Sequence, residues 1–224
     1  MHADRLKLAD GQSAAIIRSG GAIGDRLGLH GIYHAEGLKP RPDKMRAFER
    51  LWNLLLGALQ DGDDERAAAL RVQLRPLQFR AWSDVIHNVI TTVGANDLLD
   101  KYLKGSAYTQ TIRMGLKGTG TAVIADTQAS HASWLEQGLA NAPTYTGNRP
   151  SITMGAASAK SSVSPAQAFA ITSTGTVFGC FINNGGSATK DDTTGILFSA
   201  GDFSGGSKAV VNLDTLNVTY TLNA

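Results

Sequence analysis

The sequence predicts an α+β protein in which an extended N-terminal arm and amphipathic helices precede an antiparallel β-sandwich or jelly-roll-like domain. Three observations carry that expectation. Of the 21 Lys+Arg and 19 Asp+Glu in 224 residues, 28 fall in residues 1–105 and 12 in residues 106–224, a composition step near Gly105. About a quarter of residues 106–224 are Ser or Thr, and short apolar runs recur between clusters of Gly, Asn, Asp and Ser, as in chains of short strands and turns. Between Pro40 and Gly105 the apolar residues recur instead at three- and four-residue steps, the helical period.

Residues 1–39 read as the arm. Gly11, Gly20, Gly21, Gly24, Gly28, Gly31 and Gly37 break it repeatedly, and its apolar residues are too scattered to build a core alone. In the helical region, residues 40–105, the first stripe is Met45, Phe48, Leu51, Trp52, Leu55 and Leu59, with Asp43 as N-cap and Gly62 as terminator. A second helix begins at Asp63 or Asp64, carries Ala67, Leu70 and Leu74, and stops at Pro76. Phe79, Trp82, Ile86, Val89, Ile90 and Val93 predict a third, and Asn96 caps a short fourth with Leu98, Leu99, Tyr102 and Leu103 that ends at Gly105. A lipid-binding role for the Trp and Leu stripe is disfavoured against packing, because acids alternate with the bases around it.

In residues 106–224 the clearest strand is the last: Leu216, Val218, Tyr220 and Leu222 share one face, Asn217, Thr219 and Thr221 the other. Val177–Ile182 is apolar on both faces and predicts a central strand covered on two sides. Ile112, Met114 and Leu116 alternate, and shorter strands are expected at Ser151–Gly155, Ala168–Ser173, Ile196–Ser199 and Lys208–Asn212. Seven or so strands at this spacing fit two packed sheets. Asn183–Gly186 and Ser204–Ser207 have turn chemistry.

The near balance of charge, +2 overall, argues against a nucleic-acid-coating polycation. No apolar run reaches the roughly 18 residues of a membrane span, and Met1–Lys7 lacks the apolar centre of a secretion signal, so a soluble protein of a reducing compartment is expected. Cys180, the lone cysteine, sits in the most apolar strand and reads as a buried thiol.

Chemistry-bearing patterns are few. Ala14–Asp25, with a glycine loop at Ser19–Asp25, has the form of a strand feeding a phosphate cradle, but Pro40 and Pro42 follow too soon for the βα units such a site needs. His30 and His34 have the spacing of two metal ligands on a helix, among glycines that oppose a helix. Asp126, Ser130, His131 and Glu136 include the residue types of a serine hydrolase without a nucleophile elbow, and capping of a turn by Asp126 and Ser130 explains them more simply. Asp191 and Asp192 with Thr189, Thr193 and Thr194 offer oxygen ligands for calcium, too few in acidic groups; a solvated hairpin tip is the plainer reading.

The blocks WSDVIHNVITTVGANDLLDKYLKG (82–105), SAYTQTIRMGLKG, ADTQASHASWLE, TYTGNRPSITMG, SAGDFSGGSKAV and DTLNVTYTL resemble a group of structural proteins of tailed-bacteriophage virions, over residues 82–224. The resemblance implies an assembly part and no enzyme: no catalytic residue, cofactor, metal, nucleic acid, membrane or small-molecule substrate. Within the virion it implies a capsid decoration, or cement, protein on the head shell, binding the major capsid protein or other virion subunits and itself forming a homo-oligomer, with a trimer favoured. The alternatives are a tail, collar or fibre component of the same virion, and, from another class, a nucleotide-binding protein using Ser19–Asp25. The expected contact residues are Ile16, Ile17, Leu27, Leu29 and Tyr33 in the arm and Phe48, Trp52 and Leu55 on the first helix.

Overall fold

Helix and strand periodicities coincide every fourth residue, and that coincidence governs the most consequential element of the fold. In the computed structural model, which describes residues 28–105, 111–131 and 133–224, Gln78–Ile90 is a 13-residue strand, β2, and not the third helix expected there. Trp82, Ile86 and Ile90 lie four apart, one helical turn but also two strand repeats, so their stripe suits either backbone. The β-branched Val85, Ile86, Val89 and Ile90 favour a pleated chain, and strands on both sides supply the pairing.

One of those partners is β1 (His30–Pro40). Residues 30–39, expected in an extended arm, are therefore a fully paired strand: Tyr33 sits opposite Ile86 of β2 and opposite Tyr220 of β12 (Thr215–Asn223). Ile16, Ile17, Leu27 and the Ser19–Asp25 loop lie outside the described residues. A register shift between Gly37 and Leu38 bends β1, and Gly37 is where the Trp82 indole crosses the strand; a Cβ there would collide with the ring.

Two helices, α1 (Met45–Asp61) and α2 (Asp64–Leu74), form the connection from β1 to β2. The sequence locates both closely. Gly62, in the left-handed region at φ 71°, ends α1, with its N–H bonded to the Ala58 carbonyl. Asp63 caps α2, its carboxylate accepting from the Arg66 N–H at 3.0 Å. Asp43 instead lies in a 3-10 turn, Pro42–Lys44, and makes no side-chain cap to α1. Phe48, Trp52, Leu55 and Ala58 meet Ala67, Leu70 and Leu74 across the helix pair, closed by Ala170. The last helix, α3 (Thr92–Tyr102), starts earlier than expected: its cap is Thr91, whose hydroxyl accepts from the Gly94 N–H at 3.0 Å, in place of Asn96.

The remaining strands are β3 (Ile112–Lys117), β4 (Glu136–Gln137), β5 (Ser151–Ile152), β6 (Ser161–Val163), β7 (Gln167–Ala170), β8 (Gly175–Val177), β9 (Gly179–Asn184), β10 (Ile196–Phe203) and β11 (Lys208–Val210). Ten strands make one antiparallel sheet in the order β4-β3-β9-β10-β2-β1-β12-β6, with β5 on β3 and β7 on β12; β8 and β11 pair separately. The protein is thus a mixed α+β fold with a large antiparallel sheet and, among the described residues, three α-helices. The composition step near Gly105 does not divide the sheet, since β1 and β2 from before it lie between β12 and β10 from after it.

The doubly apolar run takes the central position expected of it. β9 is buried along its whole length between β3 and β10, with Cys180 and Ile182 in the main core and Phe181 in a second cluster with Trp134, Leu197 and Ala200. The run is broken at Phe178, so Gly175–Val177 leaves for the separate β8–β11 pair.

Candidate functional site

A cluster of buried charged groups at the β4 side of the sheet clamps loops. Arg149 and Glu136 are both buried, and the guanidinium holds the carboxylate through two bonds, Nε to Oε1 at 2.8 Å and an Nη to Oε2 at 2.5 Å. Its other N–H groups reach the carbonyls of Ser187 (3.2 Å) and Asp192 (2.7 Å), while Glu136 Oε2 also accepts from the Asp191 N–H at 2.8 Å. Burial works against the Arg149 charge, but the bonds and charge of Glu136 more than restore it and raise its pKa. Lys190 donates to the carbonyls of Gly138 and Tyr145 and lies 4.2 Å from the Tyr145 ring centroid; burial pulls its pKa down against the raising effects of Glu136 and Asp191. The carboxylates and cations of this cluster bond to backbone or to one another.

A second polar clasp joins β2 to the turn after β10. Asp84 accepts from the Lys208 ammonium at 2.5 Å, from the Val85 N–H at 2.7 Å and from the Gly205 N–H at 3.0 Å. Burial opposes ionisation of Asp84, yet the lysine and these backbone donors outweigh it and hold the carboxyl below its usual pKa. A depressed carboxyl pKa adds stability that is complete above the unfolded-chain value of about 3.9 and is lost as the pH falls through the folded value. The Asp84→Asn variant should accordingly lose less stability on acidification than the wild type, read by urea unfolding at a series of pH values.

The opposite character appears under α3. Leu98, Ile112, Met154, Ile182, Phe198 and Leu222 wall an apolar cleft of about 470 Å³, with Tyr220 as a further wall. Asn184 is its buried polar element: its amide N–H donates to Asp97 Oδ2 at 2.6 Å, and its Oδ1 has no partner among the described residues. At the cleft rim α3 exposes a row at i, i+3 and i+4, Leu99, Tyr102 (86 % exposed, and itself a cleft wall) and Leu103 (72 % exposed). Exposed Ile124 lies by the first turn, its carbonyl accepting from the Thr92 N–H.

The sequence-predicted contact residues are not gathered there. Tyr33 is fully buried, its hydroxyl 2.7 Å from Ser199 Oγ and its ring centroid 4.7 Å from that of Tyr220, and burial raises its pKa. Phe48, Trp52 and Leu55 are consumed by the α1–α2 core, with the first two rings stacked at 5.3 Å. These four hold the chain's own elements together, because sheet pairing and the helix hairpin cover them from within. Leu29, half-buried, precedes β1.

The chemical patterns fare as follows. His30 and His34 stand exposed on a strand, and no group of three or more His, Cys, Asp or Glu is placed to hold a metal among the described residues. Asp126 accepts from Trp134 Nε1 at 3.0 Å and from the Val123 N–H at 2.9 Å, while His131 donates through Nδ1 to the Trp134 carbonyl and stacks on its ring. Both residues are turned to Trp134 as turn supports. Asp192 Oδ1 accepts from the Thr194 N–H and hydroxyl, and Asp191 from the Ala140 N–H. Cys180 is buried, and burial pushes its thiol pKa far up, so it stays protonated.

Sequence reasoning assigned Leu98, Leu99, Tyr102 and Leu103 to one amphipathic helix but missed that the helix straddles a cleft. The signal was the four apolar residues within six positions, two more than one core-facing stripe requires. No protein-family model matches the chain, and no curated protein or solved structure matches it either.

Proposed function

We propose that this chain is a structural subunit of a bacteriophage virion, a decoration protein that grips the head shell and its own copies through apolar surface. The observation that carries the reading is the exposed Leu99–Tyr102–Leu103 row at an open apolar cleft. Contiguous apolar surface of this kind marks protein contacts, and repetition over a shell turns weak contacts into avidity. In this reading α3 and the cleft take the role first expected of Phe48, Trp52 and Leu55.

A finer fold assignment accompanies it. The main core joins Met114 and Leu116 of β3 with Leu216, Val218 and Tyr220 of β12, strands five places apart in the sheet order. A sheet whose distant strands share a core curls upon itself, which supports the sandwich-like packing expected for a shell-decorating domain.

The test is occupancy on particles. Wild-type protein added to heads that lack it should bind at many copies per shell. The doubly substituted Tyr102→Asp, Leu103→Asp protein should keep its melting temperature within a few degrees and bind at least about tenfold more weakly, since an apolar anchor contributes about 1.5–3 kcal/mol and each 1.4 kcal/mol is tenfold. Unchanged binding by the variant, or failure of the wild type to associate with particles, overturns the proposal.

A further inference from the structure

We infer that the groove between α2 and strands β7 and β12 binds a small amphiphilic carboxylate, its head on the Arg71 guanidinium and its hydrocarbon tail on the apolar walls. The inference goes beyond the proposed function, and the groove shares no lining residue with the cleft under α3.

The sequence of α2 carries a charge into a core-facing stripe. Ala67, Leu70, Arg71 and Leu74 fall at i, i+3, i+4 and i+7, the positions that cover a core. Ala67, Leu70 and Leu74 are buried against α1, while Arg71 is half-buried at the border of that face. Opposite it, β7 supplies small residues, and the space they leave is a groove of about 530 Å³. Leu38, Leu55, Leu74, Pro76, Ala168 and Ala170 make its apolar walls.

Charge gives the groove its preference. Its charged wall residues are Arg71 and Arg75, and no acidic residue lines it among the described residues. Arg75 is paired with Glu36 at 3.3 Å. The Arg71 guanidinium makes, among the described residues, a single long bond, to the Ala168 carbonyl at 3.4 Å. Asp64, the acid whose charge reaches Arg71, lines an adjoining cavity and not this one. Burial draws the Arg71 pKa down and Asp64 offsets this only in part, the mark of a cation short of both water and counter-ion. The other polar walls are already bonded: the Gln78 amide donates to the Thr215 hydroxyl at 2.8 Å, and the Asn217 amide to Glu36 at 3.0 Å.

An apolar pocket with a few placed polar groups is the usual form of a small-molecule site. The two oxygens of a carboxylate match the fork of a guanidinium. A bare inorganic anion leaves the apolar walls uncovered, an alkyl alcohol leaves the cation without a counter-ion, and an alkylammonium is repelled by both arginines. A hydrocarbon chain ending in a carboxylate satisfies walls and cation together.

The test titrates the full-length protein with octanoate below its micellar concentration, followed by methyl ¹H–¹³C NMR spectra. Saturable shifts should appear at the Val72 methyls, on the groove wall, and not at Leu98, on the wall of the α3 cleft. Octanol and octylammonium should bind at least about tenfold more weakly, the worth of a charged hydrogen bond. Arg71→Gln should weaken octanoate by a similar factor without weakening octanol, and keep the melting temperature within a few degrees. Arg71→Lys, which retains the charge without the fork, should fall between, and it carries the comparison if Arg71→Gln proves unstable. Arg66→Gln, exposed on the same helix, should bind octanoate as the wild type does. Absence of saturation, equal affinity for octanol, or shifts centred on Leu98 overturns the inference. So does octanoate binding that survives Arg71→Gln, or that falls equally with Arg66→Gln. None of these substitutions touches α3, so this inference and the proposed function fail separately.

Discussion

Replacing Arg149 by methionine should destabilise the protein by about 3–5 kcal/mol, the cost of leaving a buried carboxylate without its partner. Glu136 would keep the Asp191 N–H but lose both guanidinium bonds, the Ser187 carbonyl would lose its side-chain donor, and the Asp192 carbonyl would keep only Gln128 Nε2. Three loops converge on this one side chain, from β4, from the segment before β5 and from the β9–β10 connection. The double replacement Arg149→Met, Glu136→Leu should cost less than the single one, because no charge is then stranded. Urea unfolding of the four proteins of the cycle measures both effects. A single-variant loss below about 1 kcal/mol, the ordinary worth of a surface pair, would show that the site is wetter than its burial indicates.

The second large effect separates a core from a contact surface. Trp52→Ala should cost about 3–5 kcal/mol, since it empties the centre of the α1–α2 core between Phe48 and Leu70. In a chain of this length that lowers the melting temperature by roughly 10 °C. The indole Nε1 has no hydrogen-bond partner among the described residues, so Trp52→Phe, which removes little but that polar atom and some volume, should cost far less. If Trp52 gripped another subunit, the isolated protein would melt at the same temperature after substitution, and only assembly would change. Calorimetry on the two variants distinguishes these outcomes.

Legibility followed how far an element depends on its own residues. β12 was readable because four apolar residues alternate with three polar ones, and that face is buried as expected. β9 was readable because a run apolar on both faces has to be covered on both. The α1–α2 hairpin carries its own punctuation in Gly62, Asp63 and Pro76. β2 was not readable, because Trp82, Ile86 and Ile90 satisfy both periods and the deciding partners, β1 and β10, lie some 50 residues before it and 110 after it. Tyr33 was misplaced for the same reason: among so many glycines its burial depends wholly on β2 and β12 closing over it. For the candidate site, the helix bearing Leu98 to Leu103 was visible, while the cleft beneath it was not, being assembled from β3, β9, β10 and β12.

By itself, then, the sequence determined the mixed class, the helix hairpin, the central and terminal strands, the turns at Gly185 and Gly206 and the inertness of Cys180, all of which depend on neighbours within a few residues. Only the tertiary structure decided that the first strand joins the last, that β2 is extended, that Tyr33 and Trp52 face inward, and that α3 leaves Leu99, Tyr102 and Leu103 uncovered. Those outcomes rest on contacts beyond each element's own residues, and β1 with β12 and β2 with β10 pair across more than a hundred positions, so local periodicity holds no information about which distant strand will supply the hydrogen bonds.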